Sequence, residues 1–241
     1  MLFAALWDWL RWLCVGMLLL LGFIQGLVGS PGLAIILLSL SVKILMYPLT
    51  RVADNWQAQV NRTQALLQPS LDAIKKKYKG EEAHNLVLAL YKEHGVHPMY
   101  TLRSLAGFLI QIPVFIAAFD MLGENFALHQ AAFLWIDDLA KPDRLALLPM
   151  LLPFFGGHLN LLPFLMTGVT LLASAIQAEP DLSPQLRRQQ QLKLYLMAAA
   201  FFVLFYTFPA GMVLYWTTNN VLHLLKILPG ALLGMQKSDP G

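Results

Sequence analysis

Gly32-Leu33-Ala34-Ile35-Ile36-Leu37-Leu38-Ser39-Leu40-Ser41-Val42-Lys43-Ile44-Leu45-Met46-Tyr47-Pro48-Leu49-Thr50 is the stretch whose reading decides the fold. It carries a single charge, Lys43, and is as long as the roughly 17–25 helical residues needed to cross a bilayer's hydrocarbon core. Four further runs have the same character, at about 104–122, 160–176, 192–208 and 211–228. The whole chain agrees with this reading. Of 241 residues 57% are hydrophobic and 13% charged, whereas a soluble domain carries about 25% charged residues. The predicted fold class is therefore all-α, a polytopic integral membrane bundle with five core transmembrane helices.

The remaining segments are less regular. Residues 12–28 are apolar and long enough to span, but only Gly29-Ser30-Pro31 separates them from the next run. Trp7, Trp9, Arg11 and Trp12 open the segment with the mixture favoured at headgroup level. Two readings stand: a helix lying in or tilted through the outer interface, or a span or uncleaved signal. Residues 145–155 are too short to span, contain Pro149 and Pro153, and read as a re-entrant or interfacial piece. The single cysteine, Cys14, excludes an internal disulfide framework and follows no lipobox. The expected organisation is an N-terminal helix at 1–31, a core at 32–230 and a short tail at 231–241.

Charge sets the orientation. Residues 51–103 hold eight cations, among them Arg51, Arg62, Lys92 and Arg103, and Arg187, Arg188 and Lys193 follow the third core run. The connection 123–158 holds only Lys141 and Arg144 beside Glu124, Asp137, Asp138 and Asp143. The positive-inside bias places 51–103, 177–193 and the C-terminus in the cytoplasm.

Within 51–103, Val60, Leu67, Leu71, Ile74 and Tyr78 fall on one helical face. Pro69 is expected to kink or restart that helix. After Lys79-Gly80-Glu81, Leu86, Val87, Leu90 and Tyr91 give a second apolar face, so the region reads as a cytoplasmic antiparallel helical hairpin. Its basic run, Lys75, Lys76, Lys77 and Lys79, reads either as a solvated or lipid-facing surface or as a specific protein or RNA contact.

Polar residues inside spans are costly and so point to function. Lys43 has two readings: snorkelling to the cytoplasmic interface, or facing a wet cavity. Ser39 lies one turn earlier on the same face. In the last run Tyr215, Asn219 and Lys226 share a stripe beside Thr217, Thr218 and Asn220, and Gln111 adds a polar group to the second. Interhelical hydrogen bonding would also account for these residues. The scattered histidines suggest no metal site, and no phosphate loop or dinucleotide fingerprint is present. Ser39 and Lys43 could form the Ser-Lys dyad of an intramembrane protease, but no motif supplies an oxyanion hole. A small-solute transporter would also bury charge, though such folds usually show repeats that are not seen here.

Eight short motifs in order then make a pattern: Val42 to Thr50; Leu67-Gln68-Pro69; Leu90-Tyr91-Lys92; Val96-His97-Pro98; Leu109 to Phe115; Trp135-Ile136-Asp137-Asp138-Leu139; Asn160-Leu161-Leu162-Pro163; and Phe208-Pro209-Ala210-Gly211 with Leu214-Tyr215-Trp216. Together they resemble the YidC/Oxa membrane protein insertase family. The resemblance implies a hydrophilic groove open to cytoplasm and lipid but closed outside, in a non-enzymatic insertase and chaperone of the bacterial inner membrane. The groove would be lined by Lys43, Ser39, Gln111, Tyr215, Trp216 and Asn219. Phe115, Phe119, Phe202 and Phe205 would form an apolar slide into lipid.

Nascent membrane proteins and the bilayer are the implied partners. The Sec translocon and the ribosome remain open, and no cofactor, metal or specific nucleic acid is expected. Lys43 stands where the family usually has arginine, keeping the charge but not the planar fork. The large outer domain of many Gram-negative members has no counterpart here, and the tail has Lys237 as its one cation. Ribosome docking is therefore expected on Lys75, Lys76, Lys77 and Lys79, or on Arg187 and Arg188, and should be salt-sensitive.

Overall fold

Residues 7–97, 99–176 and 184–237 are described by a computed structural model. Among them are seven α-helices: α1 Asp8–Val28, α2 Pro31–Lys77, α3 Gly80–Glu93, α4 Ala106–Gly123, α5 Leu161–Ile176, α6 Pro184–Tyr206 and α7 Ala210–Lys237. Two 3-10 helices, Tyr100–Leu105 and Phe126–Leu128, and a two-stranded antiparallel hairpin, β1 Ala146–Leu152 and β2 Gly156–Leu159, accompany them. Residues 1–6 of the expected N-terminal helix, Pro98 of the fourth motif, residues 177–183 of the second expected cytoplasmic connection and the last four residues of the expected tail lie outside the described residues. The chain is an integral membrane protein. α1, α2 and α4 are long and apolar enough to cross a membrane, and α5 is an apolar helix of 16 residues.

The chain forms two compact units. The first comprises Met1–Leu45, Val114–Pro180 and Gln185–Gly241, and the second Met46–Pro113 with Asp181–Pro184.

In the first unit α2 buries Ala34, Ile35, Leu38, Ser39 and Val42, one face of the helix. α1 buries Leu10, Cys14, Met17, Leu21 and Ile24 at alternating spacings of four and three. The Cys14 Sγ lies 3.6 Å from the Ala117 carbonyl of α4. Trp12, Leu19, Phe23 and Leu27 on the other side of α1 are exposed, so this helix is apolar all round, as a helix surrounded by lipid and protein is. Gly29, at φ 70, ends it in the left-handed conformation glycine adopts without a Cβ penalty.

In the second unit α2 continues, burying Ala53, Val60 and Leu67 at seven-residue intervals and then Leu71. Of the two outcomes expected at Pro69, the restart does not occur: one helix runs through both Pro48 and Pro69. Each proline removes one backbone donor, but the buried Leu67 and Leu71 on either side hold the turns around Pro69 together. Lys77 ends α2, Gly80 at φ 63 opens α3, and the expected hairpin forms. No residue of α3 is fully buried, and Leu86, Val87, Leu90 and Tyr91 are half-covered.

Most of the segment 145–155, expected as a re-entrant or interfacial piece, is the first strand and turn of a β-hairpin that runs from Ala146 to Leu159. Its register is irregular between Leu147 and Leu152, where Pro149 cannot donate to a ladder. Phe154, at φ 72, and Gly156, at φ 76, make the turn.

Candidate functional site

α7 is the axis of the first unit, and α2 runs parallel to it in constant register. Ser39 Oγ donates to the Tyr215 carbonyl at 3.2 Å, and Lys43 Nζ donates to the Asn219 carbonyl at 3.3 Å. One turn before Ser39, Ile35 lies against Gly211, where an added Cβ would come within 3.3 Å of its side chain and 3.2 Å of the Leu139 carbonyl. Contacts thus recur every fourth residue on both helices, and the glycine starts the seam by letting the backbones approach.

Along the seam exposure changes. Ser39 is completely buried and Tyr215 is 2% exposed, whereas Lys43, Thr218, Asn219 and Asn220 are only half-buried. Ser39, expected to line the groove, therefore lies inside the helix contact. Its hydroxyl also hydrogen-bonds the Ile35 carbonyl at 3.1 Å. Buried between two carbonyls, it is a poor nucleophile, which argues against the protease reading. The Tyr215 hydroxyl is buried and has no hydrogen-bond partner among the described residues. Asn219 Nδ2 donates to the Tyr215 carbonyl at 3.1 Å, and Asn220 Nδ2 reaches Thr170 Oγ1 of α5 at 2.9 Å. Thr170 escaped sequence reading because a threonine bonding its own preceding turn, here the Met166 carbonyl at 2.9 Å, is ordinary in a span.

The aromatic residues divide. Phe115 of α4 meets Trp216 at 5.0 Å and Phe205 at 6.2 Å, both edge to face, and Phe119 meets Phe208 at 5.3 Å. Phe205 is 1% exposed and stacks on Trp216, so it is core of this cluster and offers no surface to a sliding segment. Phe119, at 36%, is the exposed member. Phe202 packs elsewhere, against Phe164 and Tyr206. Gln111, half-buried on α4, falls in the second unit, as do the exposed Lys75, Lys76, Lys77 and Lys79.

The end of the first unit formed by the 123–158 connection is held by residues that the sequence showed as loop charges, such as Asp143, or as members of the resemblance motifs, such as Asp138 and Asn160. The Asp143 carboxylate, in a residue 4% exposed, accepts from the Leu161 and Leu162 backbone N–H groups at 2.6 and 3.0 Å and from Trp135 Nε1 at 3.1 Å. It caps α5, where orphan donors and the helix dipole favour an anion. Asn160, also buried, donates to the Tyr206 carbonyl at 2.6 Å and accepts the Arg144 N–H at 3.0 Å. The Leu139 and Lys141 carbonyls accept the Gly211 and Ala210 N–H groups, capping α7 at 2.8 and 2.7 Å. Gly32 is pressed by the Phe133 ring, which occupies the space a Cβ would need. Asp138 accepts the Gln130 and Ala140 N–H groups and pairs with Lys141 at 2.9 Å. The Lys141 hydrogen bond, reinforced by those two N–H groups, holds its carboxyl below the usual carboxylate range.

The sequence resemblance to a membrane insertase family can be set against known proteins. The family model described as 60Kd inner membrane protein matches residues 23–228. The chain belongs to this family. Among relatives, the protein named membrane protein insertase YidC of Chlamydia muridarum is 36% identical over 216 residues, covering 86% of this chain and 26% of that protein. The protein of the same name from Syntrophobacter fumaroxidans is 35% identical over 221 residues, covering 90% and 37%. A crystal structure described as an active YidC insertase with the first transmembrane domain resolved superimposes with a TM-score of 0.58 at 27% identity. It is matched over 91% of this chain and 46% of its own. The chain thus spans less than half the length of each of these proteins.

Proposed function

We propose that this chain is a membrane protein insertase and chaperone of the bacterial inner membrane, with its C-terminus in the cytoplasm. The observation that carries the reading is Lys43, a half-buried cation hydrogen-bonded to the α7 backbone on a polar seam whose outer end is capped. Moving one charge to the centre of a bilayer costs about 2.5–3.5 kcal/mol on insertion scales. A hydrated inner recess shortens the apolar path, and a fixed ammonium gives acidic residues of a nascent segment a favourable stop. The apolar helix that follows leaves for lipid along exposed aromatic surface such as Phe119, driven by its own partitioning without nucleotide. The basic run Lys75, Lys76, Lys77 and Lys79 is the place where a ribosome would dock. A partnership with the Sec translocon fits the same reading.

The test is complementation in a bacterium depleted of its own insertase, scored by protease protection of intact substrate. Lys43→Arg should retain insertion. Lys43→Ala should reduce it several-fold for substrates with acidic leading segments and less for neutral ones, in keeping with the cost of an uncompensated charge. Undiminished insertion of acidic substrates by Lys43→Ala would remove the electrostatic role.

A further inference from the structure

The second unit contains a cavity of about 360 Å³ that the proposed insertion route does not use. Its size is at the lower end of ligand pockets, about 300–1,000 Å³. It lies between α2, through Gln59, Val60 and Thr63, and the segment Gly95–Arg103 that follows α3. Val60 is buried and forms apolar wall, while Gln59, Thr63, His97, Tyr100 and Arg103 bring polar groups. The lining contains a guanidinium and several donors but no carboxylate, the composition expected for an anion.

Local structure shapes those donors. Gly95, at φ 62, turns the chain after α3 and lets His97 face back toward α2's side of the cavity lining. The Met99 backbone N–H donates to His97 Nδ1 at 3.2 Å, so the ring proton stands on Nε2 and that nitrogen is a donor. Tyr100 is held edge-on against Tyr91 at 5.9 Å. Arg103 comes three residues before α4, which is apolar enough to cross the membrane. The guanidinium is therefore at the level where a span meets the headgroups.

What lies beside the cavity indicates the rest of the ligand. Met99, Leu102, Leu105, Phe108 and Leu109 are all about half exposed or more and lead from the cavity's rim onto the first turn of α4. A soluble anion has no use for such a surface, whereas an acyl chain does.

We propose that this cavity binds the phosphate headgroup of an anionic phospholipid, with Arg103 as its counter-ion and the acyl chains along Leu102, Leu105 and Phe108. The site is independent of Lys43 and of whether the chain inserts substrates. It would tie the start of α4 to the cytoplasmic leaflet.

The experiment is native mass spectrometry of the full chain released from vesicles of equal phosphatidylglycerol and phosphatidylcholine. Wild type should retain phosphatidylglycerol in preference. Arg103→Gln should weaken that retention about tenfold, the loss of one charge-assisted contact. Thr63→Ala should weaken it less, and Lys92→Gln, removing equal charge away from the cavity, should leave it unchanged. Circular dichroism and size exclusion establish that each variant is folded, and Thr63→Ala carries the test if Arg103→Gln is not. Equal loss in Lys92→Gln, or none in a folded Arg103→Gln, overturns the proposal. So does saturation by glycerol 3-phosphate at the same concentration as lipid, which would make the ligand a soluble phosphate. Displacement of bound lipid by an acidic peptide but not by phosphatidylglycerol would overturn it in favour of a protein partner.

Discussion

The two ends of the first unit solve opposite problems with similar residues. At the end proposed to face outward Asp143 and Asn160 are buried, and their polar atoms bond helix-terminal backbone groups, the Arg144 N–H and the Trp135 indole N–H. At the inner end Lys43, Thr218, Asn219 and Asn220 are half-covered, and their bonds run mostly along or between neighbouring helices. A buried polar group committed to a fixed donor gives rigidity, because breaking its bond leaves an unsatisfied partner. A half-exposed one can exchange its protein partner for water or for a passing chain. Under the proposed orientation, the comparison suits the outer end to closure and the inner one to adaptability.

The largest expected effect breaks that comparison at Asp143. Asp143→Ala strands two α5 N–H groups and the Trp135 indole N–H. The loss should be about 3 kcal/mol, the sum of a lost helix cap and buried donors left unmet. Asp143→Asn keeps an acceptor and should lose about half of that. Replacing Lys75, Lys76, Lys77 and Lys79 by Gln in the same unfolding measurement should change stability by under about 0.5 kcal/mol. An Asp143→Ala protein as stable in detergent as the lysine variant would mean the outer network is not a lock.

Legibility followed the range of the interactions. Helix positions and the hairpin were readable because periodicity and turn glycines such as Gly29 and Gly80 act locally. The spacing of Ser39 to Lys43 and Tyr215 to Asn219 placed each pair on a face. That the two faces meet in register is a tertiary fact no local pattern states. Asp143 counted only as a loop charge and Asn160 as the first residue of a span, because a cap is visible only once the helix it caps is placed. The β-hairpin was missed because Ala146–Leu152 is uniformly apolar, without the alternation that marks a strand. At Pro69 the local rule allowed a kink or a restart, and the helix runs on without a restart, with Leu67 and Leu71 buried on either side.

A second prediction sharpens the gradient along the seam. With Cys14 replaced by Ala, a cysteine at Asn219 should react with a membrane-impermeant thiol reagent from the cytoplasmic side. A cysteine at Ser39, one turn outward and fully buried, should react at least about tenfold more slowly, since a packed interior admits little water. Equal rates would mean that the seam opens as a whole. Labelling of both only from outside would reverse the assignment of the two ends.

The smallest effect concerns acid and the outer loop. Asp138 has a carboxyl lowered from the ordinary 3.8 by its Lys141 hydrogen bond and the Ala140 and Gln130 N–H groups. A carboxylate whose pKa is lower in the folded protein than in the unfolded one stabilises the fold above the unfolded value. That contribution declines as pH falls through the folded value, so it is present at neutral pH and lost in acid. Lys141 is 59% exposed, so solvent and salt screen the pair and the effect is modest. The melting temperature should thus fall more between pH 6 and strong acid for wild type than for Asp138→Asn, which has no proton to take up. Lys141→Ala should lie between them, because it removes the ammonium and leaves the two N–H donors. If Asp138→Asn and wild type lose stability in parallel across this range, the loop around Asp138 is held by its backbone alone.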